Sequence, residues 1–424
     1  MAVTAGRGAQ KVDPARRARA VAGRAESPTS RGPRPAARGP RPATHEPDYW
    51  LLVAIAALVV FGTVMIFSAS FAVMLPQGGD AYYYLQKQIL WVVLGTAAAA
   101  VTARVDYHTW GRFSIPVLAG TVLLLGLVLV PGLGVENYGA QRWLNLGPLP
   151  QFQPSEMAKI ALILYMATWL SRRGERLRTW ATGVLPFAVL LGFLVFLVML
   201  EKDLGSSTVL AIIGITMFLV AGADWRQFGL FCLTGAVVFA GLAFGAPYRR
   251  ARLELFMKSE SELRAVADGW QLIQARLAIG SGGIFGLGLG MSRQKYAWLP
   301  AAHTDAIFAV IAEELGLIGC ACLLALFLLV AVRGYRVAAR ARDPFGVLLA
   351  TGIVSWLVFQ AMINIGGVTT TIPFTGVPLP FVSYGGTSLI VDLAAVGVLL
   401  NVSRQTVAAP ARARPRRELN VDSS

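Results

Sequence analysis

The chain is poor in cysteine, histidine and charge. Three cysteines and three histidines stand among 424 residues. Cys232, Cys320 and Cys322 all fall inside apolar runs, which argues against a disulfide framework or a metal site built on thiolates. His45, His108 and His303 lie far apart and make no ligand pair. No GxxxxGK[ST] segment occurs, which argues against direct ATP hydrolysis. Charged residues make up only 14% of the chain, and acids are the scarcer sign: 23 Asp and Glu against 38 Lys and Arg, a net charge of +15.

What is abundant is apolar. Hydrophobic residues account for 55% of the sequence, and the mean hydropathy is +0.59. A helix needs about 20 residues to cross a bilayer. Ten runs approach that length: 50–73, 88–103, 115–131, 156–171, 182–200, 204–221, 228–246, 305–332, 347–366 and 386–403. The expected fold is an all-α integral membrane protein of about ten transmembrane helices. Residues 49–404 form the membrane domain, and one long extracellular loop (246–304) lies between the seventh and eighth helices. Residues 1–48, rich in Arg, Pro, Ala and Gly, read as a disordered basic tail, and 405–424 as a second one. The apolar run after the first tail is too long for a secretory signal and has no small-residue cleavage site behind it.

Arginine orients the runs. The N-terminal tail, Arg104 and Arg112, the 172–178 cluster, the 333–342 cluster and the C-terminal tail all fall on one side if ten helices alternate. The positive-inside rule makes that side cytoplasmic, with both termini on it. The net charge then reflects topology and attraction to anionic membrane lipids, not nucleic acid.

Four outward segments hold most of the unusual residues. The first runs from Gly139 through Arg142 to FQPSEMAK, which ends at Lys159. Pro154, Ser155 and Glu156 look like a helix start, and Lys159 lies at i,i+3 from Glu156. A cation there either pairs with Glu156 or meets a phosphate near the outer headgroups. The second, Glu201-Lys202-Asp203, places three charges in a tight apolar hairpin. It is a solvated turn or part of a substrate site. The third is the long loop. It carries Arg252, Glu262, Asp268, Gln271, Gln274, Arg293, Lys295, His303 and Asp305 around a glycine-rich stretch, 280–290. The glycines follow no strand and make no GxGxxG; they let backbone approach something closely. Arginines beside them suit a phosphate-bearing ligand. The fourth, 369–388, mixes three prolines and three glycines with Ser383 in a rigid non-helical segment. Such backbone survives at membrane depth only inside protein or along a cavity.

Read together, GAQRWLNLGPL, FQPSEMAKIALILY, DLGSS, GWQLIQARLAIGSGGIFGLGLGMSRQK, LPAAHTDAIFAVIAEELG and IPFTGVPLPFVSYGGTSL resemble the SEDS family typified by FtsW, RodA and SpoVE, in family order and over most of residues 50–404. The LNLGPL and SRQK variants and the closing NVSR are most similar to the FtsW branch. The resemblance implies a peptidoglycan glycosyltransferase that polymerises lipid II at the outer face of the cytoplasmic membrane during division. It also implies a class B penicillin-binding protein as transpeptidase partner and other divisome membrane proteins as neighbours. No cofactor is called for beyond a divalent cation, Mg or Mn. Such a reaction needs a carboxylate to take the acceptor proton and cations to stabilise a departing lipid pyrophosphate.

The chain departs from the family in the carboxylate region. Relatives carry an Asp-Pro-x-Gly segment shortly before the Gly-(Tyr/Trp)-Gln element, and its Asp is the proposed base. Here that stretch reads KSESELRAVADGW. Ungapped counting back from Gly269 puts Arg264 at the position; counting forward from Arg252 puts Glu262 there. Asp268, fixed beside Gly269, ranks first as catalytic candidate and Glu262 second. A Glu expected before the HTD motif is replaced, since Ala301 follows Pro300. Asp305 is expected to cap the eighth helix. Glu313, eight residues on, would face the same interior cleft about 12 Å deeper, or else tie the bundle together. Two rivals remain: a division scaffold that has lost activity, and a lipid II flippase or transporter.

Overall fold

The structure is a computed structural model. It describes residues 46–406 apart from 75–79, 138–139, 146, 148–150, 246, 259, 265, 267–268 and 297. The tails predicted at 1–45 and 407–424 lie outside the described residues.

Each apolar run of the sequence becomes a helix. In chain order these are α1 (Tyr49–Met74), α2 (Tyr83–Arg104), the short α3 (Tyr107–Arg112), α4 (Ser114–Val128), α5 (Pro154–Leu170), α6 (Leu185–Leu200), α7 (Leu204–Val220) and α8 (Trp225–Gly245). Three helices occupy the long loop: α9 (Pro247–Met257), α10 (Glu260–Arg264) and α11 (Trp270–Gly282). The chain closes with α12 (Ile307–Arg340), α13 (Pro344–Val368) and α14 (Gly386–Arg404). Among the described residues, six segments are long and apolar enough to cross a membrane: Tyr49–Phe71, Tyr83–Arg104, Trp180–Leu200, Ile307–Arg340, Pro344–Val368 and Gly386–Arg404. The all-α expectation needs one amendment: β1 (Gly134–Asn137) and β2 (Ala140–Leu144) pair antiparallel between α4 and α5. The helical periodicity of 271–279 in the long loop is realised in α11.

α13 is the hub. It packs against α5, α7, α12 and α14, and Trp356, Leu357 and Gln360 on it are fully buried. Small residues let these helices close up. A Cβ on Gly352 would sit 2.8 Å from Ile163 of α5 and from Met217 of α7, and one on Gly334 would sit 2.4 Å from Val354. The outer surface of the bundle is apolar: Val60, Val93, Leu123 and Val189 are each more than half exposed. In a helical bundle of this composition such residues face lipid.

α12 is two helices. Gly316 has φ +63° and ψ −161°, a conformation essentially restricted to glycine. The break frees backbone groups on both sides, and the glycine-rich loop takes them up. Leu287 N–H donates to Glu313 O (2.9 Å) and Gly288 N–H to Glu314 O (3.0 Å), while Leu317 N–H donates to Gly283 O (3.0 Å). The approach is so close that a Cβ on Gly282 would lie 1.9 Å from Ala312 O, and one on Gly286 would lie 2.1 Å from Glu314 O. The glycines do let backbone approach something closely, and that something is the backbone of α12.

Gly316→Ala is expected to cost about 1–3 kcal/mol through backbone strain alone, with more from the collision at Gly286. A lowered melting temperature in detergent checks it; an unchanged one would mean that the break is not fixed by glycine.

Candidate functional site

The polar residues of the outward segments gather into three groups. The first is built on the start of α5. Pro154 opens the helix, Gln153 precedes it in extended conformation, and no side chain caps it. Ser155 is thus not the cap its position predicts; it accepts from Gln153 Nε2 at 3.1 Å. One turn in, Lys159 is fully buried. Its ammonium donates to Glu156 Oε1 and to Gln360 Oε1, both at 2.7 Å, and lies 5.1 Å from the Trp356 ring centroid. Trp356 Nε1 holds the same Gln360 oxygen at 2.8 Å. The cation therefore sits inside the bundle, in an ion pair, and not among outer headgroups. Asp392 of α14 is also buried and faces the Glu156–Lys159 pair. The sequence offered one signal for it: a lone acid in the last apolar run.

The α6–α7 turn continues this group. Asp203 caps α7, accepting from Ser206 N–H (3.0 Å) and Ser206 Oγ (2.8 Å), with Gln153 Nε2 at 3.4 Å. Arg142 of β2 donates to Lys202 O at 2.6 Å and so holds Lys202 at φ +59°, an uncommon conformation for a side-chain-bearing residue. Glu201 is 1% exposed, and neither of its oxygens has a hydrogen-bond partner among the described residues. Burial first, then the neighbouring Asp203 charge, pushes its carboxyl up to about 9, with Arg142 pulling the other way. It is neutral at pH 7.

The second group clamps the loop to α12. Glu313 takes Ser292 Oγ (2.5 Å) and the amides of Arg293 (2.9 Å) and Gln294 (3.4 Å). Glu314 takes Lys295 Nζ (2.8 Å) and Ser68 Oγ of α1 (2.7 Å). Both carboxylates are buried, as is Lys295. Glu313 is therefore turned to the chain's own amides, not to a cleft, and ties the loop to α12, the second of its two readings. Asp305 precedes α12 and does not cap it; Ala306 holds the cap position without a side-chain bond.

The third group pins the proline-rich segment. Gln360 Nε2 donates to Pro378 O (3.0 Å). Asn364 Nδ2 donates to Val377 O (2.7 Å) and to Asp305 O (2.8 Å), and Ser383 Oγ donates to Thr304 O (2.7 Å). His303 lies between Tyr84 and Tyr384, ring centroids 4.6 and 5.8 Å away. Burial holds its imidazole down to about 4, so it is neutral at pH 7.

Thus Arg142, Lys159, Lys202 and Asp203 come together, as do Arg293, Lys295 and Glu313, and His303, Asp305 and Ser383. Gln274 is buried and Gln271 half-buried on α11, and Glu262 is exposed on α10. Arg252 falls on α9. Asp268 lies outside the described residues. Among the described residues no group of three or more His, Cys, Asp or Glu is placed to hold a metal ion, so no step is assigned to one bound by the chain.

These features define a helical membrane-type protein with ion pairs buried inside the bundle. The chain belongs to the FtsW/RodA/SpoVE cell cycle protein family, which it matches over residues 49–408. A probable peptidoglycan glycosyltransferase FtsW of Geobacter metallireducens is 43% identical over 364 residues, covering 86% of this chain and 96% of that protein. The stage V sporulation protein E of Bacillus subtilis is 40% identical over 359 residues, 85% of this chain and 97% of that one. Among solved structures, a chain of a peptidoglycan synthase complex that coordinates polymerization and crosslinking is similar at TM-score 0.69 and 32% identity. It covers 84% of this chain and 98% of its own. The rod shape determining protein RodA of Thermus thermophilus gives TM-score 0.61 and 31% identity, over 85% of this chain and 97% of that one.

Two outcomes are expected. Lys159→Met strands the Glu156 charge and costs about 3–5 kcal/mol; much of that returns in the Lys159→Met/Glu156→Gln double variant, read by thermal unfolding. Glu201 is neutral in the fold up to about pH 9, while an unfolded Glu ionises above about 4.3. Its contribution is full below the unfolded value and is lost as pH rises through the folded one. Wild-type stability should therefore drop across that window relative to Glu201→Gln; parallel pH curves for the two proteins would refute it.

Proposed function

We propose that this chain is a peptidoglycan glycosyltransferase that polymerises lipid II for the division septum, working with a class B penicillin-binding protein. The observation that carries the reading is the set of charges gathered at the start of α5 and the α6–α7 turn, with Arg142 on Lys202 O, Asp203 beside Gln153 and buried Lys159 on Glu156, in a chain of this family. Cations and carboxylates held at fixed spacing beside apolar helices suit a substrate with a pyrophosphate, a sugar and a lipid tail. The name of the Geobacter relative and the described role of the synthase complex support the same activity and partner.

In this reading the ten helices α1, α2, α4–α8 and α12–α14 span the cytoplasmic membrane, with residues 246–304 outside and both tails, 1–48 and 405–424, inside. The acceptor's GlcNAc 4-hydroxyl attacks the anomeric carbon of the donor. The new C–O bond forms as the bond from that carbon to the pyrophosphate breaks, and the electron pair leaves with the undecaprenyl pyrophosphate. The hydroxyl proton passes to a carboxylate, Asp268 or Glu262. Arg252 and Arg293 of the outer loop, with Lys202 and Gln271, are assigned to the leaving group by their charge and polarity. Buried Lys159, Lys295 and Glu313 hold the frame that places them. A divalent cation, if used, is carried by the substrate's own phosphates, and chelation with EDTA tests it.

The experiment is polymerisation of fluorescent lipid II by the purified protein, alone and with its transpeptidase. A positioned base is worth roughly 10²–10⁴-fold, so Asp268→Ala or Glu262→Ala should lose that much of the glycan ladder while the other retains it. No ladder under any condition, with the partner still bound, would leave a scaffold. Lipid II crossing a vesicle bilayer without polymerising would leave a transporter.

A further inference from the structure

We propose that the outer start of α2 and the N-terminus of α14 form a binding site for the phosphate group of a membrane lipid. α14 is a 19-residue helix whose first residues carry no side-chain cap; its cap position is Gly385, in extended conformation. Such a terminus presents free N–H groups and roughly half a positive charge. That alone is common. What distinguishes this end is a buried polar group aimed at it.

Tyr84, Gln88, Trp91 and Gly95 recur on one face of α2. Tyr84 meets the Tyr384 ring edge-on at 5.0 Å. Trp91 lies so close to Gly386 that a Cβ there would be 2.5 Å from its indole. Gly95 faces Leu389 and Leu393. Gln88 lies between Tyr84 and Trp91 and so faces Tyr384–Gly386. It is fully buried, and neither its amide nitrogen nor its oxygen has a hydrogen-bond partner among the described residues. A buried amide left unpaired costs about 1–3 kcal/mol; a ligand oxygen accepting its N–H removes half of that loss.

The charge fits. Lys87, exposed and next to Gln88, donates to the Tyr83 hydroxyl and lies 4.2 Å from the Tyr83 ring centroid. Lys87 is close enough to act on the Tyr84 and Tyr384 hydroxyls as well. The acid just before α2, Asp80, is engaged by Tyr82 N–H at 2.9 Å. The Nδ1 of neutral His303, against Tyr84 and Tyr384, also has no partner among the described residues. Lys87, the Gln88 amide and the amides of 386–388 thus stand at the same end of two packed helices, with tyrosine rings beside them against which a sugar or an isoprene unit can lie. The identity of the lipid as a polyprenyl pyrophosphate rests on the functional reading above; the phosphate chemistry does not.

Binding of undecaprenyl pyrophosphate to the full chain in detergent, followed by tryptophan fluorescence, tests the site. One charged hydrogen bond is worth about 1.5–3 kcal/mol, so Lys87→Met should weaken binding at least about tenfold, and Gln88→Leu should also weaken it. Arg176→Gln at the opposite end should not. The same titration with phosphatidylglycerol tells the sources apart. Lys87-dependent binding of the pyrophosphate alone assigns the substrate's leaving group; equal Lys87-dependent binding of both assigns a general lipid phosphate. No binding of either, or binding indifferent to both substitutions in folded variants, overturns the proposal. The readout needs no polymerisation, so loss of the glycosyltransferase reading would leave it standing.

Discussion

At membrane depth no backbone amide or carbonyl can go unpaired, since each such group costs several kcal/mol in hydrocarbon. That constraint shapes every irregular feature of this chain. Where α12 breaks at Gly316, the glycine-rich loop supplies the missing partners. Where the chain runs extended from 373 to 379, Gln360 and Asn364 reach out of α13 to hold its carbonyls. The charged residues follow from the same rule. Lys159, Lys295, Glu313 and Glu314 are buried because each has a counter-charge or amide waiting for it.

The helical frame was legible because its signal is long and redundant: an apolar run of some twenty residues reads the same whatever it packs against. The outer loops were legible only as places. The sequence marks Lys159 and Glu156 as an i,i+3 pair, and they are one. It cannot say that Gln360, some two hundred residues on, completes the site. In the sequence Glu313 stands between a cleft and a tie, because spacing from Asp305, which precedes the helix, cannot say which partners meet it; it is a tie. The glycines of 280–290 signal a close approach without naming the partner, because backbone that admits a phosphate and backbone that admits another helix have the same composition.

Burial also divides the acids by task. Glu156, Asp203, Glu313 and Glu314 are spent on lysine, serine and amide partners and are poor candidates for moving a proton. Glu201 is neutral at pH 7 and unpartnered among the described residues. Glu262 is exposed on a short helix, outside this buried set.

α1 and α12 are tied at two levels. Near the basic end Arg333 grips Asp48 with both carboxylate oxygens in reach, at 2.7–3.0 Å. Near the outer loop Glu314 grips Ser68. The two ties fall on opposite sides of the break at Gly316. α1, unbroken from one tie to the other, therefore acts as a splint that fixes the angle between the two halves of α12.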